Sequence, residues 1–231
     1  MKTSVYSSIR GNAMVALGDL AFRFPNLIEP WTAHLYSLLR DPEERVRKNA
    51  VMVLTHLILN DMIKVKGQIS EMAVRIEDPV ARIADLTRLF FHELSNKGNA
   101  IYNILPDIIS QLAAEETSGV TTEQFHSIMA YLFSFIRLDR QAESLVEKLC
   151  HRFRTTLEAE QWRKFAFCLS LLTFSEKCLR TLKEQFPCYH DKVALPSTHS
   201  HTSARAHTHT HTHTHTHSHP RAGHTLGSRL R

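Results

Sequence analysis

The amino-acid sequence predicts an all-α fold, an α-solenoid of stacked helix pairs with a disordered C-terminal tail. Apolar residues recur at helical spacing through most of the 231 residues, and in the N-terminal half the pattern itself repeats every 37 residues. The chain contains only 7 Gly and 8 Pro residues, few for the many turns of an all-β fold. With 43% hydrophobic residues it can build a sizeable core, which argues against disorder throughout.

Three copies of one unit align along the first part of the chain. Residues 9–17 align with residues 46–54 at an offset of 37, and the same offset carries Asp41-Pro42 onto Asp78-Pro79. The recurring residues form a repeat signature: Asp41, Pro42, Val46, Arg47, Ala50, Leu54, Asp78, Pro79 and Ile83. Three copies with one period predict a stack of equivalent units.

Each copy is predicted to be a pair of helices. The first helix carries apolar residues from Trp31 to Leu39. Asp-Pro then predicts the start of the second helix, because Asp is a good N-cap and Pro is favoured at the first helical position. That second helix is apolar on more than one side, as expected for a helix between neighbouring repeats. Ala13 and Ala50 are small residues at which two helices could approach closely.

The first copy begins at Ser4 without a partner helix. Terminal repeats need a polar outer face, but residues 5–22 present an apolar one. We therefore expect this face to be covered by another part of a longer solenoid or by another chain.

Beyond Thr121 the period is lost, but four further helical patterns follow until Pro187, and we interpret them as two degenerate pairs. The predicted organisation is repeats over 1–113, with the first one truncated, a loop over 114–122, degenerate helical pairs over 123–193 and a disordered His/Thr-rich tail over 194–231. The tail carries four Arg and no acid, so it supplies most of the net charge of +5. A nucleic-acid contact on the folded part would therefore need a local basic patch.

Residues 207–217 alternate His and Thr. Alternating His could bind Zn, Cu or Ni loosely, but in-frame translation of a (CA)n repeat is the stronger hypothesis for this segment. The four Cys, at 150, 168, 178 and 188, form no C-x-x-C pair. We interpret them as free thiols, with disulfides or zinc as the alternatives.

No catalytic motif stands out. The phosphate-binding glycine motifs and H-E-x-x-H are absent from the sequence, and His56, in an apolar helix, is interpreted as an interior histidine. We therefore expect no catalytic residue, no cofactor and no metal. We also predict no signal peptide and no membrane span, because the longest apolar stretch is shorter than the roughly 20 residues that a span requires.

Basic residues recur near the turns of the repeats and could form a stripe along the solenoid. A stripe could contact DNA phosphates or an acidic partner segment. The alternative is a solvated face with ion pairs to Glu43, Glu44 and Glu71. The candidate binding residues are Arg45, Lys48, Lys64, Lys66, Arg82 and Arg88, with Lys148, Arg152 and Arg154 as a weaker group.

The helix pair with Asp-Pro and then Val-Arg-x-x-Ala resembles the HEAT repeat. In that repeat, the Asp and the Arg six positions later typically form a hydrogen-bonded ladder between neighbouring units. Asp41 and Arg47 match this spacing, whereas Asp78 is followed by Ala84 at the Arg position.

Longer strings, including VMVLTHLILNDMIKV at residues 51–65 and the segment at 97–109, resemble the condensin subunit 1 family, the HEAT-repeat non-SMC subunits of condensin I. The resemblance covers about residues 4–193. It implies a non-catalytic scaffold that binds the kleisin and the SMC ATPase heads during mitotic chromosome condensation, with chromatin DNA or histones as further partners. It implies a location in the nucleus and on mitotic chromosomes, with a cytoplasmic pool. The alternatives are a generic HEAT-type peptide-binding adaptor or transport protein and a truncated non-functional isoform.

Overall fold

The computed structural model describes residues 6–64, 67–114 and 118–193, and every regular element in these ranges is a helix. The prediction of an all-α helical repeat fold is therefore confirmed. The predicted tail at 194–231, with its His-Thr alternation, lies outside the described residues.

The helices follow one another with short connections. Their bounds are α1 (Ser7–Arg23), α2 (Pro25–Ile28), α3 (Thr32–Ser37), α4 (Glu44–Leu59), α5 (Ile69–Val74), α6 (Ala81–Ser95), α7 (Ala100–Ala113), α8 (Thr122–Phe133), α9 (Asp139–Thr155), α10 (Ala159–Ser170), α11 (Glu176–Glu184) and α12 (His190–Val193). Single 3₁₀ turns occupy Glu29–Trp31, Leu38–Arg40, Arg75–Glu77 and Phe186–Cys188.

The helices pack in two layers. One layer runs through α1, α4, α6, α8 and α10, and the other through α3, α5, α7, α9 and α11. The core lies between them and includes the fully buried Leu35, Leu54, Phe91 and Phe125. Each helix packs against its neighbours along the stack, which explains why α4 is apolar on more than one side. No helix in the described ranges is long and apolar enough to cross a membrane.

The Asp-Pro pairs do not start the second helices as predicted. Asp41 follows a 3₁₀ turn, and α4 begins only at Glu44, with Glu43 at the N-cap. The Oδ1 atom of Asp41 accepts the Glu43 N–H at 3.0 Å, and Asp78 accepts the Val80 N–H at the same distance. The aspartate therefore closes the turn before the helix instead of capping the helix.

Helix α1 occupies the repeat position of α4 and α6, but its apolar side chains are more exposed to solvent. Val46 and Ile83 are buried, whereas Ile9, at the equivalent position, is 54% exposed. The three residues align in the repeat, but only Val46 and Ile83 share a buried environment. The prediction that Trp31 belongs to the apolar face of its helix is wrong, since Trp31 is 57% exposed.

Helices α1 and α4 pack closely at two glycines. A Cβ atom added to Gly18 would lie 2.6 Å from Cγ1 of Val53. A side chain at position 18 would therefore clash with Val53, and glycine allows α1 and α4 to pack closely at this point. At Gly11, the added atom would lie 3.3 Å from the side-chain nitrogen of Asn49, which donates to the Gly11 carbonyl. Ala50, one of the two small residues at which the sequence predicts a close approach, is fully buried on α4.

The second half of the chain continues the two layers. Helix α8 begins with a capping box, in which Thr121 and Gln124 exchange side-chain-to-backbone hydrogen bonds. Helices α9 and α10 form where apolar patterns predicted them. Helix α11 also forms, but Leu179 and Phe186 of its predicted apolar pattern are each 54% exposed, and Cys178 is its buried residue. Their stacking extends the surface formed by the three aligned copies.

Candidate functional site

A ladder of buried ion pairs joins the aligned copies. Arg10 in α1 donates from Nε and Nη2 to both carboxylate oxygens of Asp41, at 2.7 and 2.8 Å. The two residues are 31 positions apart, so the contact links one copy to the next. Two parallel N–H···O bonds fix both the distance and the orientation of the partners.

The next rung has the same geometry. Arg47 donates to both oxygens of Asp78, at 2.9 and 3.1 Å, again across 31 residues. Its Nη1 also donates to the carbonyl oxygens of Asp41 and Pro42 at 3.0 Å, which joins the two rungs. Ala84 occupies the position six residues after Asp78, where the repeat typically has an arginine. The ladder nevertheless includes Asp78, because its partner Arg47 comes from the preceding copy. Arg75 adds a bond to Asp78 at 2.8 Å.

Both carboxyl groups are held in the charged form. The hydrogen bond from Arg10 keeps the pKa of Asp41 below its usual value. Burial opposes the ionisation of Asp78, but the hydrogen bonds from Arg47 and the Val80 amide, with the charges of Arg47 and Arg75, outweigh it and lower that pKa too. In Arg75, burial is the largest effect and lowers the pKa of the guanidinium.

Three of the candidate binding residues lie around one groove. Arg45 and Lys48 on α4 and Arg82 on α6 line a cavity of about 300 Å³, together with Glu44, Val80 and Ile83. All three cations are exposed, and none makes an ion pair with a carboxylate of the described residues. The predicted ion pairs of Arg45 and Lys48 with Glu43, Glu44 and Glu71 do not form; Glu71 pairs with Arg40 instead.

The other candidates lie elsewhere. Lys64 lines a second cavity of about 370 Å³ beyond the C-terminal end of α4, where Lys97 donates to Asp61 at 2.7 Å. Helix α4 has 16 residues and is therefore about 24 Å long, so Lys64 is remote from Lys48. Arg88 is engaged by Glu77 at 3.3 Å and Asp85 at 3.8 Å. Lys66 lies outside the described residues.

The weaker basic group is on α9. Lys148 sits over the ring of Tyr102 at 4.4 Å from its centroid and donates to the Tyr102 hydroxyl at 3.1 Å. That hydroxyl donates to Ser144 at 2.7 Å, and the Ser144 and Lys148 contacts lower its pKa. Lys148 thus joins α7 to α9. Arg152 is half-buried on the same helix and Arg154 is exposed.

The side chains of the described residues that could bind a metal ion or act as nucleophiles do not form a cluster. In the described ranges no group of three or more His, Cys, Asp or Glu is placed to hold a metal ion. The four cysteines are free thiols, and burial raises the pKa of Cys150 to about 11. His56 is exposed and lies against Phe22 and Asn60, so the prediction of an interior histidine is wrong.

Lys164 is a buried cation that no sequence motif predicted, and it is only 1% exposed. Its ammonium donates to the Ala113 carbonyl at 3.3 Å and lies over the ring of Phe125. It therefore binds the C-terminal end of α7, where a cation is favourable. In the sequence, only the apolar neighbours Trp162, Phe165 and Ala166 hinted that this position faces inward.

Comparison with known proteins agrees with this architecture. Residues 8–170 match the family model of the non-SMC mitotic condensation complex subunit 1. The chain belongs to this family. Condensin complex subunit 1 of Xenopus laevis is 59% identical over 194 residues, or 84% of the chain, and that of Homo sapiens is 57% identical over 192 residues, or 83%. The Saccharomyces cerevisiae protein is 40% identical over 185 residues, or 80% of the chain.

The condensin relatives are much longer than the chain. The aligned region makes up 14% of the Xenopus laevis and human proteins and 16% of the yeast protein. Residues 8–170 of the family match include α4, α6 and both rungs of the ion-pair ladder. The stacked helices are therefore the part of the chain that carries the family relationship.

Proposed function

We propose that the chain forms a non-catalytic scaffold segment of the condensin complex, which contributes to mitotic chromosome condensation by binding the kleisin and the SMC ATPase heads. The observation that carries the proposal is the match of residues 8–170 to the condensin subunit 1 family model, together with 59% and 57% identity to the Xenopus laevis and Homo sapiens members over 194 and 192 residues. Stacked helix pairs suit such a role, because they present long surfaces with little internal rearrangement.

The proposal extends to the setting of the complex. A mitotic condensation subunit works on chromosomes, so chromatin DNA or histones are further partners, and the nucleus and mitotic chromosomes, with a cytoplasmic pool, are the location. Arg45, Lys48 and Arg82 are exposed around the groove and make no ion pair with the residues that the structure describes, so they are available for binding. Arg88 and Lys148 already serve contacts inside the fold.

The test is co-purification. The tagged 231-residue chain is expressed in cells with the kleisin and the SMC pair, and the recovered subunits are quantified. We expect all three to be retained at near-stoichiometric levels. The Leu54→Asp variant, which disrupts the stack, is expected to retain none, and Leu157→Ser, at a residue 90% exposed, is expected to behave as the parent chain.

The alternatives give different results in the same experiment. Recovery of transport cargo without the SMC pair would favour a generic HEAT-type adaptor. A folded chain, shown by a cooperative melt, that recovers no condensin subunit would contradict the proposal and support a truncated non-functional isoform.

A further inference from the structure

A row of exposed apolar side chains crosses three helices of one layer. Val15 on α1, Met52 on α4 and Leu89 on α6 are separated by 37 residues each, and they are 42, 51 and 55% exposed. Since they occupy the same repeat position on neighbouring helices, they lie side by side on the outward face. Single exposed apolar residues are common, but a row at one register forms a continuous patch.

The basic groove borders this row on one side. Lys48 lies one helical turn before Met52, and Arg45 and Arg82 lie two turns before Met52 and Leu89. On α4 the exposed stripe therefore runs from Arg45 through Lys48 to Met52. The groove itself contains apolar surface from the half-buried Val80 beside the cations. Positive charge and apolar surface are thus adjacent on one face.

The opposite border of the row is acidic. Asp19 and Glu93 lie one turn after Val15 and Leu89 and are exposed. Nucleic acid would place its phosphates near these carboxylates and would gain nothing from the apolar row. A peptide can match all three features, because it can carry acidic side chains toward the groove and apolar side chains over the row.

We infer that the outward face of α1, α4 and α6 binds a peptide segment in which acidic residues stand beside apolar ones. Packed helices lie roughly 8–10 Å apart, and a chain in the polyproline II conformation advances about 3.1 Å per residue with three residues per turn. An apolar residue at every third position of such a segment therefore points to the same side and meets one helix after another. This inference deepens the proposed scaffold role and rests on it for the identity of the protein that carries the segment.

The test uses the full chain and a defined probe. A fluorescein-labelled peptide, Gly-Asp-Leu-Glu-Asp-Leu-Glu-Asp-Leu-Gly, is titrated with the chain and followed by fluorescence anisotropy. Two control peptides replace the leucines by serine or the acids by lysine, and a duplex DNA of equal charge is titrated in parallel. We expect each control peptide to bind at least about tenfold more weakly than the probe.

Variants of the chain locate the binding face. Met52→Ser with Leu89→Ser, and separately Arg45→Glu with Arg82→Glu, should each weaken binding of the probe at least about tenfold. The matched controls are Leu179→Ser and Arg140→Glu, which change an apolar residue 54% exposed and an exposed cation of the other helix layer, and they should leave the affinity within about twofold. Circular dichroism confirms that every variant is folded, as expected for exposed positions.

Several results would overturn the inference. They are failure of the probe to bind, equal loss in the control variants, or tighter binding of DNA that responds only to the Arg45 and Arg82 changes. If the chain co-purifies with the condensin subunits but does not bind the probe, the proposed function stands and this inference is wrong. If the chain binds the probe but recovers no condensin subunit, the binding face stands and the proposed function is wrong.

Discussion

At the scale of single residues, the arginine–aspartate ladder concentrates charge in the interior of the stack. Arg47 makes four hydrogen bonds, two to Asp78 and two to backbone carbonyls of the turn before α4. Its side chain is 9% exposed and that of Asp78 is fully buried. Buried charges cost desolvation free energy, and this geometry offsets the cost because nearly every donor and acceptor is satisfied.

The first prediction removes that guanidinium. Arg47→Met keeps most of the apolar stem but leaves Asp78 with Arg75 as its remaining ion-pair partner and frees two carbonyls. We expect the free energy of unfolding to fall by about 2–4 kcal/mol, measured by urea denaturation.

Arg45→Met is the matched control for the first prediction, because Arg45 is two residues away, exposed and without an ion pair. It should change the free energy of unfolding by no more than ~0.5 kcal/mol. Equal losses in the two variants would show that the ladder contributes no special stability.

The second prediction concerns pH. The pKa values of Asp41 and Asp78 are lower in the folded chain than in the unfolded chain, so their contribution to stability is fully present above the unfolded value, near 4. It is lost as pH falls through the folded values. We expect the melting temperature to decrease below about pH 4 and to decrease less steeply in the Asp41→Asn, Asp78→Asn double variant.

Asp19→Asn, at an exposed carboxyl on α1, is the control for the pH series and should follow the parent curve. A double variant with the same acid dependence as the parent chain would contradict the assignment of this dependence to the ladder.

At the scale of helices, α4 separates buried from exposed positions within one turn. Leu54 is fully buried between the layers, and Met52, two residues earlier, is 51% exposed. Leu54→Asp places an unpaired charge in the core and should lower the free energy of unfolding by roughly 3–5 kcal/mol. Met52→Asp should change it little. A thermal melt that is the same for both variants would refute the placement of α4.

The contact between α1 and α4 gives a further prediction. Gly18→Ala brings a methyl group against the branched and rotationally restricted Val53, so we expect a loss of about 1–3 kcal/mol despite the better helix propensity of alanine. Gly67→Ala, at a position with open space, should be neutral or slightly stabilising. Chemical denaturation of both variants makes the comparison, and a stabilised Gly18→Ala variant would contradict the close contact.

The sequence was sufficient for the architecture but not for every contact. The 37-residue period predicted α4 and α6 because the same burial recurs in each copy. The partners of Arg10 and Arg47 could not be inferred from the spacing of Asp41 and Arg47, since each arginine reaches an aspartate 31 residues ahead in the next copy. The burial of Lys164 could not be predicted from the sequence either, because lysine is rarely interior and its acceptor, the Ala113 carbonyl, is remote in sequence.

The candidate site shows the same division. Recurrence of basic residues predicted cations near the turns, and Arg45, Lys48 and Arg82 do surround one groove. Helix length separates Lys64 from them, and acidic neighbours engage Arg88. Sequence spacing reports the face of a helix on which a residue lies, whereas the partners that neutralise it come from other helices.

At the scale of the whole molecule, the two layers distribute stability along the stack. Each copy contacts its neighbours through apolar packing and through one rung of the ladder. Stability in such an array is approximately a sum of nearest-neighbour terms. The losses expected for Arg47→Met and Gly18→Ala should therefore add in the double variant, because the two residues stabilise different contacts.

The constant separation of the ladder partners affects how a gene for such a chain can change in length. Excision of residues 42–78 would join Asp41 directly to Pro79 and leave Arg10 at its 31-residue distance from Asp41. The charged contact would survive the loss of an entire unit. A deletion of another length within a helix would rotate the following side chains by about 100° per residue removed, so whole units are the steps by which this architecture can shrink or grow.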